Sequence, residues 1–237
     1  MDNNSVNQNP VPAQTPVASA SPPSVAPAKT SPARSFSKSE AIKFGFNLFK
    51  AHIVDFIKIG VVYLLIQIVI GIISSFLQDS PLGLVWSLIS LALYFVISLG
   101  LTKIFLDLYD GKPLNLSNFY SLYPLAPRYA GASILYGLIV LGGYVLLIIP
   151  GIIWSIKFSF YSYLIVDKNV GLMDSLKKSS VLTQGVKMNL FLFGFMIILL
   201  NILGLLALGV GLLVTIPTTI MASVYVYRKL LASAPTV

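Results

Sequence analysis

LFLFGFMIILLNILGLLALGVGLLVTIPTTIMASVYVY, residues 190–227, runs from end to end without a charged side chain. One bilayer crossing takes about 20 residues at 1.5 Å rise each, so this stretch is too long for one helix and about right for two. Gly204, Gly209 and Gly211 loosen the helix between them. Four more apolar stretches lie upstream, near residues 56–77, 82–105, 130–149 and 152–166. Only helices or closed barrels satisfy every backbone group in lipid, and runs of this length are helical. The chain therefore reads as an all-α, polytopic integral membrane protein with about six transmembrane helices.

Composition agrees. Of 237 residues, 56% are hydrophobic and 10% charged, with a mean hydropathy of +0.85. Soluble domains carry about a quarter of charged residues, and a soluble chain with this balance would expose large apolar patches. A net charge of +8 could suggest nucleic acid. The basic residues, however, cluster in alternate connections rather than on one face, which is a sign of topology. There is no cysteine, which excludes disulfides, thiol catalysis and cysteine metal sites. A single histidine, His52, sits at the mouth of the first crossing and reads as an interfacial side chain. No metal or other cofactor is expected.

Residues 1–36 are of another kind. Pro10, Pro12, Pro16, Pro22, Pro23, Pro27 and Pro32 stand among Ala, Ser, Asn and Gln with no apolar period, which predicts a disordered cytoplasmic tail. The transmembrane domain is expected over 37–231, with a short tail at 232–237. Ser37-Lys38-Ser39-Glu40 fits a capping box, and Ala41, Phe44, Leu48 and Ala51 follow at helical spacing. This predicts an amphipathic helix lying at the membrane surface. A second such helix is expected near 172–184, with Leu172, Leu176 and Ser179 on one face. Pro150-Gly151 is read as a tight turn between the third and fourth crossings, Ser117 as a helix cap, and Pro124 and Pro127 as breaks.

With the N-terminus inside, fifteen of the sixteen Lys and Arg residues fall on the inner side, and the short turns at 78–81, 150–151 and 207–210 hold none. The exception is Lys157. A missed or extra crossing would scatter these charges, so the pattern supports six crossings with both termini cytoplasmic, in a bacterial plasma membrane. A weak threefold repeat follows, each unit a polar segment and two crossings: 37–105, 114–166 and 170–227.

Ile149-Pro150-Gly151-Ile152-Ile153-Trp154, Lys157, and Leu172-Met173-Asp174-Ser175-Leu176-Lys177-Lys178-Ser179 with Leu182-Thr183-Gln184-Gly185 resemble the signature of a large group of uncharacterised bacterial multi-pass proteins. Those are similar to the membrane domain attached to some glycerophosphodiester phosphodiesterases. Leu213-Val214-Thr215-Ile216-Pro217 and Tyr225–Leu230 resemble the end of that domain, while Ser180 and Asp167 stand where Trp and Glu are usual. The resemblance implies a fold and a membrane location over about residues 40–231. It does not imply phosphodiesterase activity, which belongs to a separate soluble barrel.

Lys157 lies inside a crossing, where a lysine costs about 2.5–3.5 kcal/mol on insertion scales. It is expected either to contact a lipid phosphate or anionic substrate, or to snorkel or pair with a carboxylate such as Asp55. Lys177 and Lys178 are candidate contacts for anionic phospholipid headgroups. Gln67 and Asn201 fall near the middles of the first and fifth crossings, as packing contacts between helices or as part of a polar path. No convergent acid–base set is present, so no enzyme is expected. The function read from the sequence is a non-catalytic protein of membrane organisation, or a partner subunit. The alternative is a transporter or lipid-handling protein using Lys157 and the intramembrane polar residues. The bilayer is the one partner expected; nucleic acid is not.

The missing cysteines make the orientation directly testable. Membrane-impermeant thiol reagents applied to intact cells should label Ser80→Cys and spare Lys112→Cys; the reverse pattern would overturn the assignment.

Overall fold

The computed structural model describes Met1 and residues 36–234, so the expected tail up to Arg34 and Ser35, and the last three residues, lie outside the described residues. Among the described residues ten α-helices follow one another: α1 (Lys38–Ala51), α2 (Ile53–Leu77), α3 (Gly83–Tyr109), α4 (Asn118–Ser121), α5 (Ala126–Leu146), α6 (Ile148–Lys157), α7 (Tyr161–Lys168), α8 (Leu172–Leu182), α9 (Lys187–Leu206) and α10 (Leu212–Ala232). The order repeats: short helices, then a long hairpin, three times over. The hairpins are α2–α3, α5 with the α6–α7 pair, and α9–α10.

Five helical segments are long and apolar enough to cross a membrane: Ile53–Leu77, Gly83–Tyr109, Asn118–Leu146, Ile148–Lys168 and Lys187–Leu206. α10 has the length, about 31 Å over its 21 residues. It is less apolar, because Thr215, Pro217, Thr218, Thr219 and Ser223 interrupt it. Its C-terminal half is also buried in protein: Met221, Ala222, Val224, Val226 and Tyr227 are wholly enclosed. Six crossings is thus an approximation, the last helix being the inner post of the bundle.

The molecule is packed at one end. The apolar core gathers Phe36, Ala41, Leu99, Leu106, Leu164, Leu182 and the second half of α10 near the end where Lys and Arg cluster, called here the basic end. Toward the other end the helices expose Leu84, Leu138, Val145 and Leu213. In lipid this is no liability, since acyl chains replace side-chain contacts. α2 and α3 diverge around an apolar cleft of about 340 Å³, bridged where the Trp86 indole donates to Ser74 Oγ at 2.8 Å. The other hairpins close through small residues. A Cβ on Gly204 would stand 3.1 Å from the Gly211 carbonyl carbon, and one on Gly143 would stand 2.8 Å from Gly151 Cα.

Several local expectations change. α1 is capped as expected, the Glu40 amide donating to Ser37 Oγ at 3.3 Å. The reciprocal half of the box is replaced, because the Glu40 carboxylate accepts from Tyr225 and Lys229 of α10. α1 also has a protein partner: it runs antiparallel along α10, with Phe44 on the Tyr225 ring at 4.9 Å. An apolar stripe tells which face is covered and not whether lipid or protein covers it. Phe36, expected in the tail, is buried edge-on against Phe193 at 5.7 Å. The second hairpin turns at Leu147, in extended backbone (φ −165°, ψ 152°), rather than at Pro150-Gly151. Pro150 enters the first turn of α6, where its missing N–H costs nothing. Ser117 precedes α4 without a side-chain cap bond, and Pro127 opens α5 instead of breaking it.

Gly45 makes the α1–α10 approach possible. A Cβ there would stand 2.2 Å from the Thr218 carbonyl oxygen and 2.9 Å from the Ala222 amide. Gly45→Ala is expected to destabilise the detergent-solubilised protein by about 1–3 kcal/mol in unfolding experiments. Gly137→Ala, where a Cβ meets nothing within 4 Å, should be neutral or stabilising.

Candidate functional site

The broken fourth crossing organises the polar chemistry. α6 stops at Lys157 and α7 starts at Tyr161, so helical bonding fails across Phe158–Phe160. Backbone groups freed inside a membrane must find other partners. Here α8 supplies them: Ser179 and Thr183 each donate to the Lys157 carbonyl at 3.1 Å, and the Phe160 amide donates to Ser179 Oγ at 3.1 Å. Both side chains are fully buried, with Ser175, Leu176 and Leu182 beside them. The Ser-x-x-Leu-Thr pattern at 179–183 is therefore a clasp for the helix break. α8 is a helix packed into protein on this face, while Lys177 is exposed and Lys178 half-buried on the other.

The second feature is a charge cluster at the basic end. Arg228 of α10 donates through Nη1 to Asp167 Oδ1 at 2.8 Å and through Nη2 to Asp110 Oδ2 at 2.6 Å. Tyr227 donates to the other Asp167 oxygen at 3.0 Å. Asp107, one turn before Asp110, accepts from Lys103 at 2.7 Å, Lys112 at 2.8 Å and Asn118 at 3.1 Å. Hydrogen bonding to Asp107 raises the Lys112 pKa. The Tyr225 hydroxyl, then the Lys229 ammonium, hold the Glu40 carboxyl below its ordinary range. A depressed carboxylate pKa means the Glu40 contact is present above the ordinary glutamate value and is lost as pH falls through the lowered one.

The residues singled out in the sequence do not converge. Lys157 is half-buried with Nζ 5.0 Å from the centre of the Phe158 ring. It does not meet Asp55, which lies 3.2 Å from His52 and 3.7 Å from Lys58. Asn201 Nδ2 stands 3.5 Å from Thr219 Oγ1, and its Oδ1 is buried with no partner among the described residues. Gln67 is exposed on α2. Lys177 and Lys178 form no ion pair among the described residues. Sequence reasoning missed the Asp110–Arg228–Asp167 link. The available signal was that Asp107, Asp110 and Asp167 each end an apolar stretch on the side rich in Lys and Arg, where a carboxylate is normally paired.

A cavity of about 350 Å³ opens beside the helix break, between α5, α6–α7, α9 and α10. Neither Lys157, Gln67 nor Asn201 lines it. Among the described residues no three His, Asp or Glu side chains are grouped as metal ligands would be.

These features define a class, the all-α polytopic membrane proteins built from helical hairpins. Proteins from Mycobacterium bovis and Mycobacterium tuberculosis, each described as uncharacterised, are 32% identical to the chain over 130 residues. The match covers 53% of this chain and 38% of each relative, so the chain spans well under half the length of the curated relatives it matches. No family model matches the chain, and no solved structure does. The likeness to the glycerophosphodiester phosphodiesterase membrane domain rests on the quoted residues alone.

Removing the clasp should weaken the whole domain. Ser179→Ala is expected to cost about 1–3 kcal/mol, since it strands the Phe160 amide. Adding Thr183→Val, which leaves the Lys157 carbonyl without a donor, should cost more. Unfolding in detergent, with Ser180→Ala as the control, measures both.

Proposed function

We propose that the chain is a non-catalytic integral protein of the bacterial cytoplasmic membrane that serves as a partner subunit of another membrane protein. Gln67 carries this reading. It stands near the middle of α2, at the flank of the stripe of Ile59, Ile66 and Ile70 that packs toward α3. Its side chain is exposed where lipid offers no hydrogen bond. Gly60 and Gly71, seven residues before and four after, fall on the same helix face, and neither has a neighbour within 4 Å of a Cβ position. A polar amide between small residues suits close approach by a second transmembrane helix.

Other observations support parts of the reading. Glu40, Asp55, Asp107, Asp110 and Asp167 are each held by a cation or by His52, which favours a structural over a catalytic role for them. The mycobacterial relatives favour a bacterial membrane. The charge map favours a cytoplasmic basic end, with Lys177 and Lys178 facing anionic phospholipid headgroups.

Native gels of mild detergent extracts test the assignment. The wild-type chain should migrate well above its own 25.7 kDa plus bound detergent, and Gln67→Leu should shift it toward the monomer. A wild-type protein that already runs as a monomer, or a complex indifferent to Gln67→Leu and Gly71→Leu together, would contradict it.

A further inference from the structure

The cavity beside the α6–α7 break is lined by five hydroxyl-bearing side chains and no charged one. Four of those hydroxyls are already engaged with backbone. Ser155 donates to the Ile152 carbonyl at 2.8 Å, Ser159 to Ile156 at 2.9 Å, Ser223 to Thr219 at 2.8 Å, and Tyr136 to Ser155 at 3.4 Å. Tyr163 is the fifth. Its ring is stacked on Tyr227 at 5.1 Å and 22°, and no described residue bonds its hydroxyl. Tyr163 is half-buried and lines the cavity, so its hydroxyl is a donor open to an acceptor held there.

The rest of the lining is apolar. Leu190, Phe193 and Ile197 lie on successive turns of α9, giving a wall that runs along the helix from near its basic end. Ser159, exposed, marks the mouth. The volume is within the range of small-ligand sites. A ligand that fits has an elongated hydrocarbon part, an uncharged hydrogen-bond acceptor at one point, and no phosphate inside the cavity, since no cation is there to meet one.

We propose that this cavity holds one acyl chain of a membrane glycerolipid, with the Tyr163 hydroxyl donating to the ester carbonyl of that chain. The chain lies along Leu190, Phe193 and Ile197, and the headgroup stays outside. Occupancy then bears on the charge cluster, because the Tyr163 ring stacks on Tyr227, and Tyr227 bonds the same aspartate as Arg228. The site is independent of the partner face on α2: it uses other helices and another ligand.

Gly194 makes the test clean. It lines the cavity, and a Cβ built there meets nothing within 4 Å, so the backbone admits a side chain at this point and Gly194→Phe places a ring in the space. The full chain is reconstituted in nanodiscs containing phosphatidylglycerol with a diazirine on one acyl chain, irradiated, and mapped by peptide mass spectrometry. The wild type should be labelled around 155–163 and 190–197 more strongly than on the exposed stretch 138–149, which reports ordinary lipid contact. Gly194→Phe should abolish this excess and leave 138–149 unchanged. Tyr163→Phe, which removes only the hydroxyl, should lower the excess by about two- to tenfold, the weight of one hydrogen bond. Labelling of the cavity peptides no higher than of 138–149, or an excess that survives Gly194→Phe, would overturn the proposal. An excess lost in Gly194→Phe but untouched in Tyr163→Phe would overturn the carbonyl contact.

Discussion

One guanidinium joins the three hairpins. Arg228 belongs to the α9–α10 hairpin, Asp110 directly follows α3 of the first, and Asp167 ends the α6–α7 arm of the second. The planar fork of arginine serves both carboxylates at once, which an ammonium could not do with the same geometry. The side chain is 18% exposed and Asp167 13%, so the charges are little screened. Such an arrangement is costly to assemble and more costly to leave half made, because any missing partner strands a poorly hydrated charge. Its stabilising value therefore depends on all three hairpins arriving together.

The rest of the architecture follows from where this link sits. With the hairpins tied at the basic end, that end holds nearly the whole apolar core, including the enclosed Tyr227 and the α1 helix clamped along α10. Away from it, the helices have no protein reason to stay in contact beyond their own hairpin partners. They remain close where Gly204 meets Gly211 and Gly143 meets Gly151, and they spread where α2 and α3 meet lipid. The helix break at Phe158–Phe160 lies next to the tied end, where α8 can reach it. Ser179 and Thr183 thus satisfy the freed backbone, and a cavity is left on the far side of the break.

The helical, membrane-spanning character was legible because lipid imposes it: uncharged runs such as 190–206 admit one regular structure. The hairpin pairing was legible too, since short turns near 78–82 and 207–211 leave adjacent helices no choice but to be antiparallel. What stayed hidden was partner choice. The 38–51 and 172–182 segments show amphipathic stripes, and a stripe against lipid reads the same as one against α10 or α7. No local pattern marks Gly45 as the point where α1 meets Thr218 and Ala222 of α10. Lys157 is a lone cation within a crossing, yet the clasp from α8 engages its backbone carbonyl, a group that every residue carries. The Arg228 link was hidden because its partners lie 61 and 118 residues away in sequence.

The central claim is that Arg228 couples the hairpins through both aspartates. A double-mutant cycle on the detergent-solubilised chain, combining Arg228→Met with Asp110→Asn and with Asp167→Asn, measures it most directly. The account expects a coupling of about 0.5–3 kcal/mol for each pair, with either asparagine relieving part of the damage once Arg228 is gone. Strictly additive effects, with each aspartate costing as much in the Arg228→Met background as in the wild type, would contradict it.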